Sequence, residues 1–276
     1  ELACIGCNNC EAVCPESCIR MRGEYKVLKG RYRTLEEKSG NMTPPRPFGP
    51  KDEHRSFEEI ENELSETEKV IYRRRSVRMF KNKPVENELV HRLIESARFA
   101  PSAGNGQPCK FLVVSNREIN KKVDQESAKI LYKINRLYAG SHRWRKILVG
   151  ILSAISASKW DQRPIAAMEK VRMTDGNITF DAPLVIHVLK DKRGISHPDI
   201  DAAIAAQNIV LTAHSLGLGA CYIGFIASTV PYAPAIKKLL NIQYPYEIVT
   251  SICVGYPKLR YDRPVPRGQV AMEWIK

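Results

Sequence analysis

After Pro84, Leu89, Leu93, Ala97 and Ala100 recur at about one helical turn's spacing, which predicts an amphipathic helix. Ahead of it, Ser65-Glu66-Thr67-Glu68 has the form of a capping box, where a serine hydroxyl and a glutamate carboxylate satisfy the first free N–H groups. A helix is expected from there towards Arg74. Asp199 to Leu216 forms a longer helical pattern, with Ile204, Asn208, Leu211 and Ser215 along one face and Gly217 or Gly219 to end it. Phe111 to Val114, Leu184 to Leu189, Cys221 to Phe225 and Ile248 to Gly255 are apolar runs too short for helices and read as strands. Glu118 to Met173 reads as mostly helical and is rich in Lys, Trp and Met. Few strands, many helices and one sheet make an α+β layer.

The ends of the chain differ from this middle. Residues 1–22 hold a burst of cysteines, and residues 23–64 turn polar, with Pro44, Pro45, Pro47 and Pro50 near Gly49. Proline at that density resists both helix and sheet, so a linker or wrapping arm is expected, with the main domain over 65–276. The tail from Tyr256 carries Pro257, Pro264 and Pro266 and is expected to run extended, reaching a second subunit.

At 276 residues the chain suits one substantial core with a small appendage. Its formal net charge of +13 raises the question of nucleic acid. The basic residues are scattered, however (Arg73 to Arg75, Arg143, Arg145, Lys237, Lys238), and no zinc-finger, homeodomain or RNA-binding signature accompanies them. The excess is better read as a field that attracts anions: phosphorylated cofactors, acidic substrates or an acidic redox partner. No run reaches the ~20 apolar residues needed to span a bilayer. Ile147 to Ser158, flanked by Trp144 and Trp160, reads as a buried helix or lid ahead of an interfacial helix.

Five of the eight cysteines lie between Cys4 and Cys18, which is not the distribution of a disulfide framework. Cys4-x2-Cys7-x2-Cys10-x3-Cys14-Pro15 matches the bacterial ferredoxin run at every defined position. Closely spaced thiolates on a tight loop can each reach a different iron of one cubane. Zinc sites instead pair two knuckles across a longer loop, or add His, and no His is near. Cys4, Cys7, Cys10 and Cys14 are therefore the expected ligands of one or two [4Fe-4S] clusters, in a reducing cytoplasm. Cys18 fits no ligand position and is expected to be a small buried residue beside the cluster. In two-cluster ferredoxins the fourth cysteine of a run ligates the other cluster. An upstream segment with a companion run, absent from a chain that begins at Glu1, is thus expected.

Arg74-Arg75-Ser76-Val77-Arg78 places three guanidinium groups and a hydroxyl within five residues, a set suited to a phosphomonoester. By itself such a cluster is more often a solvated helix face than a ligand site. Ala100-Pro101-Ser102-Ala103-Gly104-Asn105-Gly106-Gln107-Pro108 offers donors and acceptors from Ser, Asn and Gln, though its Gly and Pro alone would make an ordinary turn. These two motifs, followed by Gly217-Leu218-Gly219-Ala220-Cys221-Tyr222-Ile223-Gly224-Phe225, resemble the nitroreductase flavoproteins in content and order, over about Glu66 to Arg267. Forms fused to an N-terminal four-iron ferredoxin module are the best match. Cys109 departs from the pattern, since many members carry Trp after the Gln-Pro pair.

The resemblance implies an α+β fold with a mixed sheet flanked by helices, an intertwined homodimer, and FMN at the dimer interface. Arg74, Arg75, Ser76 and Arg78 would hold the phosphate and ribityl chain, helped by Arg267. Pro101, Ser102, Ala103, Asn105 and Gln107 would come from the other subunit or line the ring, and Ile223 and Gly224 would lie against it. The implied activity is reduction of a small organic acceptor (a nitroaromatic, quinone or related electrophile) by electrons from NAD(P)H or relayed through the cluster from a ferredoxin-like partner. Flavin chemistry belongs to the cofactor, so no catalytic acid–base pair is expected. Trp144, Trp160, Met168, Met173 and Phe180 are candidate lid residues. Other readings are a reductive dehalogenase or ene-type reductase on the same fold, an electron-transfer subunit of a larger complex, and a flavin sensor.

Overall fold

The structure is a computed structural model describing residues 43–138, 163–261, 263–268 and 272–275, with Cys10, Cys14, Cys18, Ile19 and Ile147. The chain forms two compact units: Arg74–Lys133 with Val171–Arg260, and Glu1–Arg73 with Ile134–Lys170 and Tyr261–Lys276.

The first of these contains the sheet. Strands β1 (Cys109–Val114), β2 (Leu184–Asp191), β3 (Gly219–Ile223) and β4 (Tyr246–Gly255) lie in the order β1-β2-β4-β3. Helices are α1 (Phe57–Glu61), α2 (Glu66–Arg73), α3 (Asn87–Arg98), α4 (Arg117–Tyr138), α5 (Arg163–Met173), α6 (Pro198–Ser215), α7 (Gly224–Thr229) and α8 (Pro234–Leu239). On one face of the sheet, Leu93 of α3 and Ala202, Ala206 and Ile209 of α6 pack against Ile186, Val188 and Ile252. Alanines along α6 let its backbone lie close to the strands, and the wholly buried β2 core explains an apolar run broken only by His187 in place of alternation. Asn208, a polar residue on this helix, donates to the Ser96 carbonyl at 2.9 Å and ties α6 to α3. Between β2 and β4, His187 Nδ1 lies 2.8 Å from Ser251 Oγ. Burial pushes the His187 imidazole down to about 4, so it is neutral at physiological pH.

Two expectations are corrected and one open choice is decided. The sheet is not mixed: each neighbouring pair among the four strands is antiparallel. A parallel neighbour requires a crossover that returns the chain to the same end; here parallel pairing is the isolated bridge Ser76–Ala220. The third strand stops at Ile223, and Gly224-Phe225 instead opens α7. Of the two candidate helix stops, Gly217 takes the role with φ +74°, while Gly219 is the first residue of β3.

In the other unit the predicted capping box is present at α2. Ser65 N donates to Glu68 Oε2 at 2.9 Å, and Glu68 N donates back to Ser65 Oγ at 3.4 Å. A second box at Ser56 and Glu59 starts α1. Phe57, Ile60, Leu64 and Tyr72 form a small core there, with Arg73 paired to Glu61. Proline-rich residues 43–64 are thus partly helical from Gly49 onward, because the prolines end at Pro50 and the caps take over. Most of 139–162, including Trp144 and Trp160, lies outside the described residues.

Candidate flavin site

The arginine segment is stitched to the sheet edge. Val77 N donates to Ala220 O at 3.0 Å, Lys81 N to Tyr256 O at 2.7 Å and Lys258 N to Met79 O at 2.9 Å. Arg75 and Val77 are buried and Arg74, Ser76 and Arg78 half-buried, the alternation of an extended chain. Two guanidinium groups and a hydroxyl therefore share the more open side. The buried Arg75 donates through Nη1 to the Arg74 carbonyl at 2.6 Å. The close approach depends on Gly219: a Cβ there would lie 2.7 Å from three Val77 side-chain atoms.

Beside this segment, Ile223 ends β3 buried and Gly224 begins α7. Gly224 has no positive φ, and a Cβ added to it would meet nothing within 4 Å. Neither conformation nor internal packing requires glycine at this exposed position. Tyr222, 38% exposed, is raised above the usual tyrosine range by partial desolvation against the opposing pull of Arg74, and its hydroxyl donates to Gln207 Oε1 at 3.1 Å.

The second motif is a turn between α3 and β1. Gly104, Asn105 and Gln107 adopt φ of +56°, +54° and +48°. Gln107 N donates to Ser102 Oγ at 3.0 Å and its amide donates to Asn105 Oδ1 at 3.2 Å. Ala103 N faces Oδ1 of the buried Asp201 on α6 at 3.4 Å. Pro101, Asn105 and Gln107 are exposed, and Ser102 and Ala103 half-buried. Next in the chain is Cys109, whose thiol is pushed up by burial and by the Asp201 charge and so remains protonated.

The two motifs are not brought together within one chain. Ser76 bridges Ala220, which pairs with Val254; Cys109 pairs with Lys190, which pairs with Glu247. Glu247 and Val254 lie near opposite ends of β4, and β1 and β3 are opposite edges, so the motifs occupy diagonal corners of the sheet. At about 3.4 Å per residue and 4.8 Å per strand they are separated by on the order of 30 Å.

Asp124, on α4, is a residue that no local pattern pointed to, in a helix where Lys and Glu are solvated. It is buried, and its Oδ2 accepts from Ile178 N at 3.2 Å, Thr179 N at 3.1 Å and Thr179 Oγ1 at 2.7 Å. Burial, as the largest cause, pushes its carboxyl up to about 6. Phe180, a lid candidate in the sequence, follows at once and places its ring 6.0 Å from the Arg78 guanidinium carbon.

A sequence profile of the Nitroreductase family matches residues 71–256. The chain belongs to the nitroreductase family. Its matched region holds the arginine segment, the 101–108 turn and the β3–α7 junction. Among similar proteins, one from Archaeoglobus fulgidus bears the provisional name NADH dehydrogenase/NAD(P)H nitroreductase. It is 26% identical over 203 residues, covering 72% of this chain and 90% of that protein. The FMN reductase [NAD(P)H] of Bacillus subtilis is 22% identical over 214 residues, 77% of this chain and 73% of the relative. A Desulfitobacterium hafniense nitroreductase solved with bound FMN shares the fold with a TM-score of 0.57 and 24% identity, covering 77% of this chain and all of that one.

Two parts of the expected site fall outside the matched residues 71–256. Arg267 belongs to the other unit, where its backbone exchanges 2.9 Å hydrogen bonds with Thr43. Of the cysteine run, Cys4 and Cys7 are outside the described residues; Cys14 is buried and its N–H donates to Cys10 O at 3.2 Å. Among the described residues no three His, Cys, Asp or Glu side chains gather as a metal site. Cys18 is exposed, not buried as expected: its spacing of four residues returns its sulfur to 3.3 Å from that of Cys14 while its other side stays open. Among the described residues no helix is long and apolar enough to cross a membrane.

Proposed function

We propose that this chain is an FMN-dependent oxidoreductase that reduces a small organic acceptor, such as a nitroaromatic or quinone, with electrons from NAD(P)H or relayed through an iron–sulfur cluster. One observation carries the reading: Arg74, Ser76 and Arg78 share the more open side of a segment bonded to β3, the strand that runs directly into the exposed Gly224. Cationic forks beside an uncovered flat surface suit a phosphate joined to an aromatic ring system. FMN, when bound, supplies the hydride and single-electron chemistry. The chain's own part is to hold the phosphate through Arg74, Ser76 and Arg78, with the charge of the buried Arg75 behind them and Arg267 as a further contact, and to leave room for the ring at Ile223 and Gly224.

The diagonal placement of the motifs supports a homodimer in which Pro101, Ser102, Ala103, Asn105 and Gln107 of one subunit face the arginines of the other. One flavin mononucleotide is too short to bridge both motifs in a single chain. Purified protein is expected to release FMN, not FAD, on denaturation; FAD is disfavoured because no G-x-G-x-x-G fingerprint follows a strand. Arg78→Ala should weaken FMN binding about ten- to hundred-fold, the equivalent of a charge-assisted contact of roughly 1.5 to 3 kcal/mol. Equal affinities for variant and wild type in flavin titrations of the apoprotein would overturn the phosphate assignment.

The electron input is part of the same proposal. Cys4, Cys7 and Cys10 ligate one four-iron cluster and Cys14 a second, and these pass single electrons to a flavin able to pool two. The ferredoxin spacing of the run supports this. The net charge of +13 suits an acidic ferredoxin-like donor, and thiolate ligation suits the cytoplasm. Iron and sulfide analysis of protein from its native source is expected to give about eight of each per chain, as two clusters require. About four would reduce the assignment to one cluster, and none would remove the relay.

A further inference from the structure

Phe180 and Asp181 have φ of +55° and +51°, two consecutive L-residues in the left-handed region. Asp tolerates that conformation, whereas a bulky aromatic residue is an outlier there and is retained only where the surroundings over-determine it. The surroundings do so from both sides. Upstream, Asp124 Oδ2 takes the three bonds from Ile178 and Thr179. Downstream, Asn177 Oδ1 accepts from Asp181 N at 3.2 Å while its amide donates to Asp181 Oδ2 at 2.7 Å. A residue such as Asn or Gly would relieve the backbone, so the ring itself must have a task. Half-buried, it is not a core filler, and it lies against Arg78 at 6.0 Å. Arg78 Nη1 also points to the Ser76 carbonyl at 3.5 Å, so the guanidinium is held between its own segment and the ring.

We infer that Phe180, clamped in its turn by Asp124 and Asn177, is a positioning residue that sets the Arg78 guanidinium for the cofactor phosphate. The inference rests on the reading that the 74–78 segment holds that phosphate. An aromatic face orients a guanidinium by cation–π attraction without neutralising it, leaving its N–H groups free for phosphate oxygens. A carboxylate in the same place would compete for those donors.

The test is Phe180→Asn in the full chain, because Asn accepts the left-handed conformation and removes only the ring. Thermal denaturation of the apoprotein is expected to give a Tm equal to or above that of wild type. FMN affinity, from quenching of flavin fluorescence, should fall about two- to five-fold, the scale of a partly exposed cation–π contact. Riboflavin, which lacks the phosphate, should bind both proteins equally. In an Arg78→Ala background Phe180→Asn should cause no further loss, and Phe180→Tyr should keep wild-type affinity.

Equal loss of riboflavin and FMN would overturn the inference and make Phe180 a residue over the ring. So would an additive loss in the Arg78→Ala background, or a lowered Tm with unchanged FMN affinity. If Arg78→Ala itself leaves FMN affinity intact, the phosphate reading fails and the inference with it. If Arg78→Ala weakens binding and Phe180→Asn does not, the inference fails alone.

Discussion

Gly219→Val is expected to lower Tm by roughly 2 to 10 °C, corresponding to about 1–3 kcal/mol of overpacking, and to reduce FMN affinity at least as far as Arg78→Ala does. The cause is local. A Cβ at position 219 would sit 2.7 Å from Val77 Cβ, Cγ1 and Cγ2, and these are not the free ends of a long side chain that can swing away. Relief requires the 76–78 backbone to lift from β3, which breaks the 3.0 Å hydrogen bond from Val77 N to Ala220 O and moves all three arginines at once. The single Arg78→Ala change removes one donor group; Gly219→Val displaces the frame that aims them. The check is a pair of measurements, thermal denaturation and flavin titration, extended to the double variant Gly219→Ala, Val77→Gly. That pair exchanges which residue lacks the Cβ, and it should recover much of the affinity lost in Gly219→Ala. A Gly219→Val protein with wild-type Tm and FMN affinity would show that the segment does not depend on this contact.

The second large effect is in pH dependence. Asp124 has its carboxyl raised to about 6 from an ordinary value of 3.8, chiefly by burial, with the nearby Asp181 charge adding to it. Its hydrogen bonds from Thr179 and Ile178 pull the other way and lose. A carboxyl raised in the fold binds its proton more tightly there than in the unfolded chain. Its contribution is therefore fully present below about 4 and is lost as pH rises through about 6. At one pH unit per ~1.4 kcal/mol, the stability difference between Asp124→Asn and wild type should change by roughly 2 to 3 kcal/mol in favour of the variant from pH 4 to pH 7. Any constant offset from the substituted amide leaves this slope untouched. Urea unfolding at intervals across that window measures it, and a flat difference would mean the carboxylate is not desolvated in the fold. Glu86 acts in the opposite sense and lower, being held down to about 2 by Lys83 and then Tyr256, so its stabilising effect is lost only in stronger acid. The two windows are separable.

The features legible before folding are those governed by neighbours along the chain. The capping box at Ser65, the period of Leu89, Leu93 and Ala97, and the apolar runs that became β1, β2 and β4 all rest on local bonding and spacing, and each element appears within a few residues of its expected place. The motif residues Arg74, Ser76 and Arg78 were legible for the same reason, as a dense cluster of one chemistry. Strand direction was not, because pairing is chosen between segments far apart in sequence, and the expected mixed sheet proved antiparallel. Nor was the split of the 74–78 and 101–108 motifs to diagonal corners, which follows from the order β1-β2-β4-β3 and its register. Only the tertiary structure distinguished Gly217, which ends a helix, from Gly219, which admits Val77. Asp124 makes the same point most sharply. Among the Lys and Glu of α4 it carries no local signature, and its role arises only when Ile178 and Thr179, more than fifty positions along the chain, fold back to bury it.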